Sequence, residues 1–336
     1  MSEKCWPRTS VDIDQVGGRR AVKSRAASYR AGRRANGRLI VATEAYLKTV
    51  DIIYRYEARD TSARPLPNDS DAALRRLNEG NADFAALLDH VRTEIGIQRI
   101  IPVDPRDLGF GSDVAGTPKQ RPFAAVLGCS DARVPIELIF HEGPNDLFVV
   151  RVAGNGLGLE VLGSLKYAVD HLGGTLKLIV VLGHSGCGAL TTAVDVFLNP
   201  GDYLTIAAKH SIRNILDRSL IVVQASANKL ISAFGPGVTR NTGYRQALIE
   251  ASVVTNAALS AYSIQQEFIT HDLPELQAVY GVYVLETREV WAPRLGKIKG
   301  TGLASPPRDP AGFAEFGDAV VQSERIASYL KSGMLD

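Results

Sequence analysis

The sequence is poor in cysteine and has no long uninterrupted apolar run. Its 336 residues include only three cysteines, two methionines and two tryptophans. Three cysteines in a chain of this length are too few for a disulfide framework, which indicates a reducing compartment. No apolar run approaches the ~18 residues that cross a bilayer, and the first residues lack the pattern of a signal peptide. We therefore expect a cytoplasmic protein with no membrane span.

Acidic residues are missing from one stretch near the N-terminus. Residues 15–43 contain no Asp or Glu but eight basic residues, which are Arg19, Arg20, Lys23, Arg25, Arg30, Arg33, Arg34 and Arg38. Apolar periodicity is absent through most of this stretch, as in a flexible tail. Three interpretations stay open: a solvated tail, an arm that binds an acidic partner, and an Arg-rich organellar transit segment. The net charge of the whole chain is only +2, which excludes a general polyanion binder.

Composition divides the chain into three parts. The Pro-rich and polar residues 63–70 are typical of a linker. We predict a basic, largely flexible N-terminal extension and linker over residues 1–69 and a folded domain over residues 70–293. Residues 294–336, rich in Pro and Gly, are predicted to form a C-terminal extension that ends in a short helix near residues 323–331.

Short apolar runs alternate with helical patterns in the predicted domain. The runs are residues 123–127, 147–152, 176–182 and 276–285, and the first three lack the polar face of a half-exposed strand. The helical patterns cover residues 134–141, 157–172, 189–198 and 244–268. A further helical pattern starts at Ser70, with an expected break at Gly80 and Asn81. The alternation predicts an α/β fold with a mostly parallel central sheet flanked by helices.

Two of the three cysteines lie in Gly-rich segments at the ends of predicted strands. Cys129 follows the first apolar run, and His184 and Cys187 follow the third. Ligands bind outside the carboxyl ends of parallel strands, so the two segments should lie side by side. Two thiolates and an imidazole suit tetrahedral zinc, and three protein ligands leave a fourth position open, as in catalytic zinc sites. The alternative is that all three are ordinary core residues.

Asp131 and Arg133 lie in the same loop as Cys129. A carboxylate two residues after a metal ligand is close enough to reach the open position of the metal, or to accept a hydrogen bond from a water held there. Arg133 can form a bidentate pair with Asp131 that keeps the carboxylate ionised and oriented. The alternative is an ordinary surface ion pair, which would contribute less than ~1 kcal/mol.

The Cys-x-Asp-x-Arg segment at 129–133 and the His-x-x-Cys segment at 184–187 together resemble the beta-class carbonic anhydrases. The similarity covers residues 72–293. It implies that Cys129, His184 and Cys187 hold one Zn2+ per chain, that Asp131 and Arg133 form a catalytic dyad, and that the chain forms a homodimer or higher homo-oligomer. The activity that it implies is the reversible hydration of carbon dioxide to bicarbonate and a proton by a zinc-bound hydroxide.

The sequence departs from the family pattern at one position, and two alternative functions stay open. The family usually has Asn after the arginine that Arg151 matches, whereas this chain has Val152. A hydrolase of carbonyl sulfide or carbon disulfide could use the same scaffold, because linear triatomic substrates can share one nucleophile. A zinc-stabilised scaffold protein that uses its basic arm for assembly is the other alternative, and a fourth protein ligand on zinc would favour it.

If the resemblance holds, carbon dioxide hydration should become faster as the pH rises. Two thiolates cancel the formal charge of zinc, so a bound water should be less acidic than at a three-histidine site, where its pKa is about 7. Stopped-flow measurement of hydration from pH 6 to pH 9 checks this. A flat profile over that range would count against it.

Overall fold

The computed structural model describes residues 49–56, 65–93, 96–109, 117–207, 210–269, 275–293 and 302–332. Every element below belongs to one compact unit, Tyr46–Asp336. The basic stretch of residues 15–43, with its predicted roles as a tail or as an arm for an acidic partner, lies outside the described residues.

This unit contains seven described strands and nine described α-helices. The strands are β1 (Thr49–Tyr56), β2 (Gly96–Val103), β3 (Ala124–Gly128), β4 (Leu147–Arg151), β5 (Leu178–His184), β6 (Gln277–Tyr283) and β7 (Val290–Trp291). The helices are α1 (Ser70–Thr93), α2 (Ile136–Ile139), α3 (Leu159–Leu172), α4 (Gly188–Leu198), α5 (Tyr203–Ala207), α6 (His210–Phe234), α7 (Tyr244–Phe268), α8 (Pro310–Gln322) and α9 (Glu324–Ser332).

The central sheet has five strands in the order β4-β3-β5-β6-β7. The first four strands are parallel, and β7 pairs antiparallel with β6. The residues of β3 and β5 are all buried, because helices cover both faces, and this explains why their sequences are continuous apolar runs. The predicted α/β fold, with its mostly parallel sheet flanked by helices, is confirmed. Strands β1 and β2 form a separate two-stranded parallel sheet, and β1 falls within the range predicted to be the N-terminal extension.

Successive residues of β3 face two different hydrophobic clusters. Ala125 and Leu127 pack in the larger cluster, with residues of α3, α4, α6, α7, α8 and α9. Ala124 and Val126 pack in the smaller cluster, with α1 and α2. This follows from the two-residue period of a strand, which sends neighbouring side chains to opposite faces. The register of β3 therefore decides which helices each of its side chains contacts.

The C-terminal part contributes two helices to the larger cluster. Helix α9 corresponds to the short helix predicted near residues 323–331, whereas α8 was not predicted. Asp309 begins α8 by accepting a hydrogen bond from the backbone N of Gly312 at 2.8 Å, as in an N-cap. Phe316 and Val320 of α8, and Leu330 of α9, are buried in the same cluster as the sheet residues. These helices are thus part of the core.

Helix α7 is long and apolar enough to cross a membrane, by length and composition alone. Its most apolar window has a mean hydropathy of 1.3, although 72% of that window is buried inside the fold. Such burial is typical of a core helix that packs against a sheet, and α7 lies against β5 and β6.

The expected helix break at Gly80 and Asn81 was wrong, because α1 continues through both residues. Gly80 lies in a close contact between backbones: a Cβ there would lie 2.0 Å from the carbonyl oxygen of Phe140. The Asn81 side chain donates to the carbonyls of Ile139 and Arg288 at 3.3 and 3.0 Å, and accepts from the backbone N of Val290 at 2.7 Å. Both residue types are explained by tertiary contacts made within an unbroken helix.

Replacing Gly80 with Ala should lower the free energy of unfolding by ~1–3 kcal/mol or more, because the added methyl group would push α1 away from the Phe140 backbone. Urea denaturation measures this. Gly163→Ala is the matched control, since Gly163 lies inside α3 and an added Cβ there would meet nothing within 4 Å. The control should stabilise the protein by ~0.5–1 kcal/mol. Equal effects of the two substitutions would contradict the close contact.

Candidate metal centre

The carboxyl ends of two neighbouring strands bring three metal-ligand side chains together. Strands β3 and β5 pair in parallel with Gly128 opposite Leu182. Cys129 comes directly after β3, His184 is the last residue of β5, and Cys187 lies three residues further on, just before α4. The ligand atoms of these three residues all lie within 4.8 Å of one another. The sequence prediction that the two segments lie side by side agrees with this arrangement.

All three side chains are buried. Cys129 is 5% exposed, Cys187 is 1% exposed and His184 is fully buried. Polar atoms in such a place need a partner, because burial removes their contacts with water. The Sγ atom of Cys129 accepts a hydrogen bond from the backbone N of Gly154 at 3.4 Å.

The orientation of His184 leaves one ring nitrogen facing the sulfurs. Its Nδ1 lies 3.0 Å from the carbonyl oxygen of Ser185, and because a carbonyl can only accept, Nδ1 carries the hydrogen. Nε2 therefore carries the lone pair, and it is buried without a hydrogen-bond partner in the part of the chain that the structure describes. A neutral imidazole whose other nitrogen is held by a carbonyl is the usual form of a metal-bound histidine. The residues present thus fit a metal ion.

The two thiols strongly affect each other. A hydrogen bond between the two thiols lowers the pKa of Cys129 and raises that of Cys187, and burial adds to the rise for Cys187. A cation bound at the cluster would displace the proton of the Cys187 thiol. The backbone N–H groups of Leu190 and Ala189, at the start of α4, act in the opposite direction and favour the Cys187 thiolate. The cluster therefore favours a thiolate at Cys129, and without a cation it disfavours a second thiolate at Cys187.

Asp131 and Arg133 form a bidentate ion pair at the edge of the cluster. The Arg133 Nε and Nη2 atoms donate to the two carboxylate oxygens of Asp131 at 2.9 and 2.7 Å, and the Arg133 backbone N donates to Oδ1 at 2.9 Å. These hydrogen bonds hold the pKa of Asp131 well below its usual range. The Asp131 Oδ2 atom lies 3.8 Å from His184 Nε2, and its side chain is 17% exposed. An ionised carboxylate thus stands between the buried ligands and the solvent.

Arg151 holds the backbone of the Cys129 loop from the neighbouring strand. It is the last residue of β4, and its Nε and Nη2 atoms donate to the carbonyls of Cys129 and Asp131 at 3.0 and 2.5 Å. Its side chain therefore fixes the spacing between the ligand and the carboxylate. The sequence identified Arg151 only through the family pattern and predicted no contact for it.

One helix contacts three segments of the centre, and sequence reasoning missed all three contacts. From α7, Glu250 accepts from the backbone N of Gly186 at 2.9 Å, and Asn256 donates to the carbonyl of Gly154 at 3.0 Å. Val253 packs so closely on Gly183 that a Cβ there would lie 3.3 Å from its Cγ1 atom. In the sequence, the only sign of these contacts is that polar residues, Glu250 and Asn256 among them, interrupt an apolar helical pattern.

Glu286 was also missed, although it lies near the same residues. Its Oε2 atom accepts from the Ser185 hydroxyl at 3.3 Å, and the same hydroxyl oxygen accepts from the backbone N of Leu285 at 3.0 Å. Its charge also helps to raise the pKa of Arg133, after the larger effect of Asp131. Glu286 therefore links the His184 loop to the guanidinium at the edge of the cluster.

Comparison with known proteins agrees with this geometry. Residues 124–289 match the model of the carbonic anhydrase family. A carbonic anhydrase of Mycolicibacterium smegmatis is 37% identical over 154 residues, which cover 46% of this chain and 65% of that protein. Carbonic anhydrase 2 of Mycobacterium tuberculosis is 47% identical over 88 residues, which cover 25% of this chain and 42% of that protein. The chain thus spans less than two thirds of these curated relatives.

A solved structure from Sordaria macrospora, one of two described as tetrameric beta-carbonic anhydrases, is also similar. It is 19% identical and covers 68% of this chain and 98% of its own, with a TM-score of 0.41. At that level the likeness supports no inference about this chain.

The fold and the cluster define an α/β protein with a Cys-His-Cys centre that can hold a metal ion. Residues 124–289 of the chain match the carbonic anhydrase family, and its Cys-x-Asp-x-Arg and His-x-x-Cys segments are similar to those of the beta class. Members of that class use zinc.

If the cluster holds zinc, the purified protein should contain about one zinc ion per chain. Cys187→Ala should lose most of it, because removing one of three protein ligands leaves too few to retain the ion. Atomic emission spectroscopy of gel-filtered protein measures the metal. Cys5→Ala is the matched control and should keep the parental content. Equal zinc in the two variants would contradict the assignment.

Proposed function

We propose that the protein catalyses the reversible hydration of carbon dioxide to bicarbonate and a proton, with one Zn2+ per chain on Cys129, His184 and Cys187. The observation that supports this best is the buried His184 Nε2 atom, which faces two thiols and has no hydrogen-bond partner among the described residues. The match of residues 124–289 to the carbonic anhydrase family supports the same reaction. Bound zinc would supply a Lewis acid that makes a water molecule acidic enough to act as a nucleophile.

Asp131 is proposed to orient the attacking water. Its carboxylate stays ionised far below neutral pH, so it acts as a hydrogen-bond acceptor throughout the physiological range. Because Oδ2 lies 3.8 Å from His184 Nε2, a small molecule at the cluster would be within its reach. Accepting one hydrogen from the water would turn a lone pair of the water towards the substrate.

Arg133 is proposed to keep Asp131 away from the metal position. A free carboxylate next to a cation would bind it directly and occupy the fourth position. The two side-chain hydrogen bonds from Arg133, together with that from its backbone N, use both oxygens of Asp131 and hold them in one plane. Arg133 is 61% exposed, so its positive charge also faces the side from which an anionic product would leave.

Self-association is proposed as part of the working enzyme. Strand β4 is an edge strand whose apolar residues are only partly buried. Next to it, Leu159 and Tyr167 of α3 are 78% and 47% exposed, and the Tyr167 ring lies 6.4 Å from that of Phe148. Exposed apolar side chains around an edge strand favour pairing with a second copy. Light scattering of the purified protein tests this assembly.

Replacing Arg133 with Ala should lower the turnover of carbon dioxide hydration by about 10–100-fold, the usual cost of losing a residue that supports a metal site. The zinc content should stay near one per chain, because Arg133 holds Asp131 and is not a proposed ligand. Stopped-flow assays and metal analysis of the same sample check both expectations. Parallel assays with carbonyl sulfide and carbon disulfide distinguish the hydration of carbon dioxide from hydrolysis of its sulfur analogues.

Arg245→Ala provides the matched control. Arg245 forms the same bidentate pair with Asp195, at 2.7 and 2.9 Å, but on the surface between α7 and α4. Its loss should leave turnover within about twofold of the parent, since an exposed ion pair contributes under ~1 kcal/mol. Loss of zinc in Arg133→Ala, or an equal fall in turnover in both variants, would contradict the proposed role.

A further inference from the structure

A buried carboxylate lies behind the loop that carries the third ligand. Glu250 of α7 is only 2% exposed, and its Oε1 atom accepts from the backbone N of Gly186 at 2.9 Å. Gly186 lies between His184 and Cys187 and has a left-handed backbone, with φ at +61°. A charged hydrogen bond thus holds the loop at the point where the chain turns from one ligand to the next.

The counter-ion of Glu250 comes from the C-terminal helix α9. Arg325 Nη2 donates to the Oε2 atom of Glu250 at 2.9 Å, and the arginine side chain is itself 19% exposed. Gln246 Nε2 adds a hydrogen bond to Oε1 at 3.2 Å. In the part of the chain that the structure describes, Arg325 is the one cation paired with Glu250. A buried carboxylate needs such a partner, because an unpaired charge in the interior is strongly destabilising.

Helix α9 is held firmly enough to place that arginine. The Asn241 side chain donates to the carbonyl of Leu330 at 2.8 Å. A Cβ at Gly243 would lie 2.0 Å from the carbonyl oxygen of Tyr329, so the backbones of α9 and of the start of α7 are in direct contact. Ile326 is fully buried in the larger hydrophobic cluster. Contacts at Ile326, Tyr329 and Leu330 therefore hold the helix that carries Arg325.

The two partners come from different parts of the chain. Glu250 lies within residues 124–289, which match the family model, whereas Arg325 lies outside them. Arg133 and Asp131, at the edge of the cluster, form a separate pair and do not contact Glu250 in the described structure. The chain of contacts from Gly186 through Glu250 to Arg325 is therefore a second charged support of the same centre.

We propose that Glu250 and Arg325 are positioning residues for the metal centre, and that α9 thereby determines how firmly the Cys187 loop retains zinc. This inference rests on the zinc site of the proposed function. When Arg325 pairs with Glu250, the carboxylate is held in place and accepts from the Gly186 N–H. Without Arg325, the buried carboxylate would lack its counter-ion and draw in water, which weakens its hold on the loop.

The test measures the rate at which zinc passes from the folded holoprotein to a coloured chelator. Arg325→Met removes the charge, keeps most of the volume and should speed release by about tenfold, the lower end of the effect of losing a supporting contact at a metal site. Arg325→Lys should recover part of the parental rate, because it restores a positive charge without the planar guanidinium. The Co2+-substituted protein gives a second readout, since a loosened Cys187 should shift its sulfur-to-cobalt absorption band.

Asp318→Asn is the matched control. It breaks an ion pair between Lys229 of α6 and Asp318 of α8, whose charged atoms lie 2.7 Å apart, in the same C-terminal part of the chain. Among the described residues, neither member of that pair makes a hydrogen bond or ion pair with the Cys129 or Cys187 loop. The control should release zinc at the parental rate, even if both variants melt at lower temperature. If Asp318→Asn speeds release as much as Arg325→Met does, general loosening is the cause and the inference is overturned.

Two double variants distinguish the loss of the Gly186 contact from the effect of leaving a buried charge without its partner. Arg325→Met with Glu250→Gln removes both charges but keeps an oxygen that accepts from the Gly186 N, so its zinc release should return towards the parental rate. Arg325→Met with Glu250→Leu removes both charges and the acceptor. It should release zinc about tenfold faster than Arg325→Met with Glu250→Gln. These variants also serve if Arg325→Met alone does not fold. Equal release from the two doubles overturns the inference while leaving the zinc site intact, whereas a parent protein that holds no zinc overturns both.

Discussion

The pairing of β3 with β5 is the constraint on which the metal centre depends. Their register sets Gly128 beside Leu182, so the chain leaves β3 at Cys129 next to the strand that ends in His184. Both strands are buried on both faces, and moving either by one residue would turn all its side chains to the wrong cluster. Apolar packing therefore fixes the positions of the ligands, and the buried sulfur and nitrogen atoms follow from it. A metal bound there would add stability to a geometry that the sheet has already set.

Two carboxylate and guanidinium pairs flank the cluster and differ in their surroundings. Asp131 and Arg133 lie at its solvent side, where water can screen the charges and the carboxylate can reach a small molecule. Glu250 and Arg325 lie behind it in the core, where the charges are desolvated and each depends strongly on the other. The same chemical pair therefore serves an exposed, reactive position and a buried, supporting one. What separates the two roles is burial, which a list of charged residues does not reveal.

Much of the fold and of the cluster was predictable because the signals are local. Continuous apolar runs identified β3, β4 and β5, and the position of Cys129 and His184 after two such runs predicted their convergence. The failures come from contacts between residues far apart in the chain. Asn81 resembles a helix breaker, yet its side chain binds the carbonyl of Arg288, 207 residues away. Likewise, nothing next to Arg325 in the sequence indicates that its partner lies on α7.

Helix α7 contacts the Gly154 and Gly186 loops, and Gly183 near the end of β5, through Asn256, Glu250 and Val253 respectively. Segments attached to one rigid body cannot shift independently, so fluctuations of the three should be correlated. For this reason the ligand segments alone do not suffice to form the site. Grafting Cys129, His184 and Cys187 onto the strand ends of another parallel sheet would reproduce the coordinating atoms, but a designer would also need to transplant the helix that keeps their relative spacing constant.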